Sequence, residues 1–153
     1  MAIYLVQHGK ARADGADAER ALTEEGRADV ERIAGVARNY RVPVTEVRHS
    51  GKLRAQQTAG IFADILGPGI PQRPEEGMNP GDDVALFATR LDNESNVMYV
   101  GHLPFMEKLT SHLLTGSSGH TIFKFQNGGI VCLDRDSTTR RWVITWALMP
   151  KIP

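Results

Sequence analysis

A single cysteine, Cys132, is all the sulfur chemistry this chain has beyond its methionines. It excludes an internal disulfide framework and any multi-cysteine zinc or iron–sulfur site. There is no excess of either charge, since 18 Lys and Arg balance 18 Asp and Glu. A neutral chain lacks the broad positive field that non-specific binding to nucleic acid or anionic membranes relies on, so neither partner is expected. No stretch approaches the ~18–20 consecutive apolar residues of a membrane span, and the run Ile3 to Val6 is too short for a secretory h-region. A cytoplasmic location is the expectation. Internal repeats, linkers and low-complexity segments are absent too, and 153 residues correspond to one domain, expected over 1–153, with enough chain for a real core.

What is there reads as alternating strands and helices. Ala2 to Val6 is a nearly continuous apolar run, the pattern of a strand buried on both faces. Lys10 to Arg20 is small, charged and aperiodic, a loop. Thr23 with Glu24 and Glu25 offers a capping hydroxyl and acids for the first turn of a helix, which Val30, Ile33, Ala34, Ala37 and Tyr40 continue at helical spacing. Val44 to Arg48 reads as a second strand, Leu53 to Leu66 as a second helix stopped by Gly67-Pro68-Gly69, and Ile70 to Arg73 as a weak edge strand bounded by prolines. Asp82 and Asp83 open a short helix with Val84, Phe87 and Leu91 inward. Val97 to Val100 is a further buried strand, and Pro104 starts a helix that Phe105, Leu109 and Leu113 carry to Gly116. The period then changes: Ile130 to Leu133 and Trp142 to Leu148, around a polar turn, form an antiparallel hairpin at the sheet edge.

Position carries the chemistry. His8 follows the first strand, Arg54 opens the helix after the second, and His102 follows the Val97 to Val100 strand. In a parallel sheet all three meet at the carboxyl edge, where α/β sheets bind ligands. The helix starts at Ser50–Leu53 and Leu103-Pro104 aim free N–H groups at the same place and favour an anion. Any one of these residues alone has a bland role, as a cap, a packing histidine or a solvated arginine; three polar residues at three separate junctions are much harder to attribute to accident. No Walker loop, dinucleotide fingerprint or Gly-x-Ser-x-Gly elbow competes. Cys132 sits inside a strand as a small hydrophobe, His102 and His112 are not at metal-ligand spacing on one helix face, and His49 and His120 have no acidic or thiol partner nearby in sequence, so no metal is expected.

The motifs Ile3-Tyr4-Leu5-Val6-Gln7-His8-Gly9, Asp17 with Arg20-Ala21-Leu22-Thr23, Ser50-Gly51-Lys52-Leu53-Arg54-Ala55-Gln56-Gln57-Thr58 and Val100-Gly101-His102-Leu103-Pro104, in this order, resemble the histidine phosphatase superfamily, and within it the short SixA-like branch of phosphohistidine phosphatases. The resemblance implies a three-layer, phosphoglycerate-mutase-like α/β fold with a mixed, mainly parallel sheet, helices on both faces and a C-terminal antiparallel hairpin. It implies that His8 attacks phosphorus and that Arg54 and His102 bind the phosphoryl oxygens, with no cofactor. Gln7, Gly9 and Arg20 are further candidates for phosphate binding. The family's first motif ordinarily reads Arg-His-Gly; Gln7 offers a neutral amide where that Arg would stand, and charge-assisted hydrogen bonds are roughly twice as strong as neutral ones. Arg12 or Arg20 is a candidate source of the missing charge.

The expected reaction is metal-independent dephosphorylation through phospho-His8, with Arg54, the helix N-termini and, if it is protonated, His102 around the phosphoryl oxygens. Asp17, Glu75 and Glu76 are candidate proton donors. The stretch between Arg54 and His102 is used up by expected elements, leaving no lid insertion. The open pocket that follows suits phosphohistidine on a protein surface better than a small sugar phosphate. Inorganic phosphate or sulfate is expected to occupy the same pocket. The alternatives are an open-pocket hydrolase of a small phosphoester and a binding module for phosphoanions or phosphoproteins in which Gln7 has weakened catalysis.

Overall fold

The computed structural model describes residues 2–153. Six strands, β1 (Ile3–Gln7), β2 (Glu46–His49), β3 (Gln72–Pro74), β4 (Val97–Gly101), β5 (Ile130–Arg135) and β6 (Trp142–Leu148), form one sheet in the order β3-β2-β4-β1-β5-β6. The first four in that order are parallel; β5 runs antiparallel to β1, and β6 to β5. Four α-helices cover it: α1 (Glu24–Asn39), α2 (Leu53–Leu66), α3 (Val84–Ala88) and α4 (Phe105–Thr115).

The unbroken apolar runs are explained by two cores, one on each face of the sheet. Tyr4 and Val6, Met98 and Val100, and Ile130 and Cys132 point toward α1 and α2, where Val30, Ile33, Ala37, Ala59 and Phe62 are buried. Their neighbours Ile3 and Leu5, Val97 and Tyr99, and Val131 and Leu133 point the other way, onto Phe87 of α3 and Phe105, Met106 and Leu109 of α4. A strand with a core on both sides has no polar face to alternate with. β3 is the counterexample: fully exposed and three residues long, it tolerates Pro74 because it is the edge of the sheet.

Helix starts follow the capping chemistry of the sequence. Thr23 accepts the Gly26 N–H at 2.9 Å, and Asp83 accepts those of Ala85 and Leu86 at 2.9 and 3.1 Å. Tyr40 departs from expectation. It is the C-cap of α1 rather than part of its buried face, and it is 80% exposed, because the helix ends one residue before the inward position recurs. The loop after β1 is more ordered than its composition suggests. Thr23 N–H donates to Lys10 O at 2.9 Å, Arg12 N–H to Ala21 O at 2.8 Å, and Ala11 and Leu22 form an antiparallel bridge. A short 3-10 turn over Asp17–Glu19 caps the resulting finger. Among the described residues, no helix is long and apolar enough to cross a membrane.

Candidate active site

Parallel pairing sets Gln7 opposite Gly101, so the chain leaves both central strands at the same level and His8 and His102 emerge side by side. The His8 N–H donates to Gly101 O at 3.0 Å, and the two rings lie 5.0 Å apart between centroids, inclined by 51°. β2 lies on the other side of β4 and delivers Ser50 and then α2, whose first turn carries Arg54. The three residues expected at one sheet edge are together there. Gln7, His8, Lys10, Ala11, Asp17, Arg20, Arg54, Pro80, His102, Leu103 and Asn127 line a cavity of about 400 Å³. A larger cleft of about 550 Å³, beside Tyr4, Val42 and Trp146, contains none of the histidines.

The His8 ring is fixed by its own backbone. Nδ1 lies 2.7 Å from Gly9 O, and since a carbonyl can only accept, the proton is on Nδ1 and the lone pair on Nε2. Gly9 is fixed in turn: its N–H donates to Thr58 Oγ1 at 2.9 Å, and that hydroxyl donates to Arg54 O at 2.7 Å. Gly9 therefore acts on the site through its carbonyl, its N–H being taken by Thr58 rather than offered to phosphate. A side chain here would also collide, since an added Cβ would sit 2.8 Å from Val30 Cγ2. Asn127 Nδ2 donates to His8 O at 2.9 Å and so holds the His8 backbone in place.

Burial lowers the His8 pKa to about 4, assisted by the charges of Arg54, Arg20 and Lys52 against the opposing pull of the Gly9 hydrogen bond. His102 falls to about 3, again mainly through burial and then through His8, Arg54 and Lys52. Both rings are neutral at pH 7. The condition on which His102 was to act as a cation, its protonation, is therefore not met at neutral pH, and its neutral ring serves as a hydrogen-bonding group. Its Nε2 shares a 2.5 Å hydrogen bond with Ser50 Oγ.

The cations converge on one acid. Asp17 accepts from Arg20 at 2.9 Å, from Arg54 at 3.1 Å and from Lys52, and its backbone carbonyl accepts from Arg54 at 2.6 Å. The hydrogen bonds from Lys52 and Arg20 hold the Asp17 carboxyl well below the usual range, so it is a carboxylate and not a proton donor. Glu75 is tied to Arg73 and Arg90, and neither it nor Glu76 lines the cavity. Arg12 is spent on the exposed Asp14; of the two candidate sources of extra charge, only Arg20 reaches the cavity. Gln7 Oε1, Arg54 Nε and His102 Nδ1 are buried without a protein partner. Unsatisfied buried polar atoms are rare in native proteins, and these three all belong to residues that line the cavity.

A profile of the histidine phosphatase superfamily (branch 1) matches residues 3–79, half of the chain. This chain belongs to the histidine phosphatase superfamily. It is 30% identical over 126 residues to the phosphohistidine phosphatase SixA of Escherichia coli K12, covering 77% of each protein. The structure of the protein histidine phosphatase SixA complexed with tungstate superposes with a TM-score of 0.86 at 25% identity, over 98% of this chain and 97% of that one. An alpha-ribazole phosphatase from Shigella flexneri shares the fold, with a TM-score of 0.80 at 15% identity over 100% of this chain and 98% of that one. The fold is therefore the phosphoglycerate-mutase-like α/β fold of histidine phosphatases, and this superfamily member is a phosphatase of the SixA-like branch.

The sequence places Ser50, Lys52 and Thr58 in a motif without giving their side chains a role, and it does not single out Asn127. Thr58 carries a signal, lying four residues after Arg54 and so on the same face of α2. Asn127 carries none, because 119 positions separate it from the residue it holds.

Proposed function

We propose that the protein removes phosphoryl groups from phosphohistidine on other proteins through a covalent phospho-His8 intermediate. The observation that carries this reading is the neutral His8 ring, with its proton fixed on Nδ1 by Gly9 O and its Nε2 lone pair free in a cavity rimmed by cations. In the first step Nε2 bonds to phosphorus while the substrate's P–N bond breaks, and the electron pair returns to the substrate nitrogen. Arg54 and Arg20 offset charge on the transferring oxygens, and His102 and Gln7 contribute hydrogen bonds. In the second step a water oxygen bonds to phosphorus, the N–P bond breaks and its pair returns to Nε2. Inorganic phosphate leaves, and the water's proton passes to solvent.

The leaving group favours phosphohistidine over an alcohol ester. The acid that lines the cavity, Asp17, is held ionised and cannot protonate an alkoxide. A phosphohistidine whose free ring nitrogen is protonated departs as neutral imidazole and needs no proton from the protein. The cavity is open, which suits a side chain presented on a protein surface. The 30% identity to a phosphohistidine phosphatase points the same way.

The test is incubation with a histidine-phosphorylated protein followed by quenching in base. Phosphate release, together with acid-labile, base-stable phosphate on this chain that disappears in His8→Ala, is the expected result. Release that persists in His8→Ala overturns the covalent route. Substrate binding without release by the wild type would favour the phosphoprotein-binding reading, for which the uncharged Gln7 is the reason.

A further inference from the structure

Lysine is among the side chains least often buried, yet Lys52 is only 19% exposed, and its ammonium turns inward onto Asp17. It stands immediately before the first residue of α2, two positions ahead of Arg54, and its backbone N–H reaches Ser50 Oγ, the hydroxyl bonded to His102. The carboxylate it meets also takes Arg20 and Arg54. Three cations thus share one carboxylate that is itself 55% exposed at the cavity. The cavity-lining Asp17, Arg20 and Arg54 leave one net positive charge, and Lys52, which does not itself line the cavity and meets it through Asp17, raises this to two, the charge that a phosphoryl dianion would match. Gln7, beside the nucleophile, adds no charge, and its buried Oε1 has no partner.

We propose that Lys52 is a phosphoryl-binding cation of this site, supplying the positive charge that position 7 lacks, with Asp17 as the resident counter-anion that keeps Lys52, Arg20 and Arg54 gathered until a phosphoryl group arrives. This rests on the phosphoryl-binding reading of the cavity. Two oxygens of a carboxylate already bridge Lys52 and the arginines, and two oxygens of a phosphoryl group have similar spacing, so the incoming anion can engage the same cations without rebuilding the site. Its own charge would draw Lys52 and Arg54 away from Asp17, which has enough exposure to yield toward solvent. The field of Lys52 already reaches both reacting rings, since it contributes to keeping His8 and His102 neutral.

The test is calorimetric binding of inorganic tungstate and phosphate to wild type, Lys52→Met, Gln7→Arg and the double variant, with thermal melts of each. Lys52→Met is expected to weaken both oxyanions about tenfold, the scale of one charge-assisted contact. Gln7→Arg should recover most of that loss in the double variant, and should improve binding less when Lys52 is present. Lys52→Arg should bind as wild type. Asp17→Asn separates ligand contact from a purely positional role: Lys52→Met must weaken oxyanion binding in the Asp17→Asn background as well. Unchanged binding in Lys52→Met overturns the proposal. So does a loss that Gln7→Arg cannot recover in folded protein, or one that vanishes with Asp17→Asn. Because oxyanion binding requires no turnover, these outcomes are read independently of whether wild type hydrolyses phosphohistidine.

Discussion

His8 works against the usual titration of its kind. With its pKa held near 4 by burial and by Arg54, Arg20 and Lys52, it is deprotonated through the whole neutral range. On the proposed route through phospho-His8, activity lost by protonating this ring disappears late: kcat/KM should stay level as pH falls from 7 to about 5 and decline with a midpoint near 4, rather than near the ordinary ~6.5. A pH–rate profile of the free enzyme checks this, and a midpoint at 6 or above would show that the ring is not buried as described. Thr58 is the second decisive residue, because one hydroxyl accepts from Gly9 and donates to Arg54, joining the carbonyl that orients the His8 ring to the helix that carries the arginine. Thr58→Val leaves the Gly9 N–H buried and unpaired, at a cost of roughly 1–3 kcal/mol. It should lower kcat more than KM, while Thr58→Ser should restore both stability and rate.

Helix α1 contributes no group to the cavity and still shapes it. Gly26 lies in its first turn against the backbone of Lys10, and an added Cβ would stand 2.1 Å from Lys10 O, a contact that only movement of the helix or the finger could relieve. The same finger carries Asp17 and Arg20. Gly26→Ala should destabilise the protein by roughly 2–3 kcal/mol and also weaken phosphate binding, measured by denaturant titration and calorimetry. Gly35, nine residues further along the same helix, meets nothing within 4 Å, so Gly35→Ala should stabilise by about 1 kcal/mol through helix propensity and leave binding unchanged. Opposite signs from one substitution in one helix would distinguish a glycine required for close approach from one that is merely tolerated.

Over the whole molecule, acid stability is set in two stages. His8, His49 and His102 all have pKa values lowered by burial, so the unfolded chain binds their protons more readily than the folded one. Their stabilisation is complete above the unfolded value of ~6.5 and is lost as pH falls toward about 4 for His8 and about 3 for His102. Carboxylates with lowered pKa values, Asp17, Glu25 and Glu46 among them, add a second loss that begins below about pH 4. Melting temperature against pH should fall in these two stages, and the His8→Asn/His102→Asn variant should flatten the first. Among the described residues, no cluster of three His, Cys, Asp or Glu side chains is placed to hold a metal ion. The proposed route itself calls on no divalent ion, so phosphate release should be unaffected by EDTA; loss on chelation with recovery on adding a divalent ion would contradict that route.

The linear order of residues determined the elements and the level of the site. Apolar runs such as Ile3 to Val6 and Val97 to Val100 specify strands buried on both faces, Thr23 and Asp83 specify helix starts, and a parallel sheet then places His8, Arg54 and His102 at one edge. These are local signals, each readable within a few positions because backbone geometry and hydrophobic burial act at that range. Charge state and orientation were decided only by the tertiary fold. His102 became neutral because burial and neighbouring cations oppose its proton, Asp17 became a fixed anion because residues from α2 and the finger converge on it, and Tyr40 was turned out because α1 stops before it. Desolvation and electrostatic fields depend on distances between groups far apart in sequence, and no pattern along the chain encodes those distances.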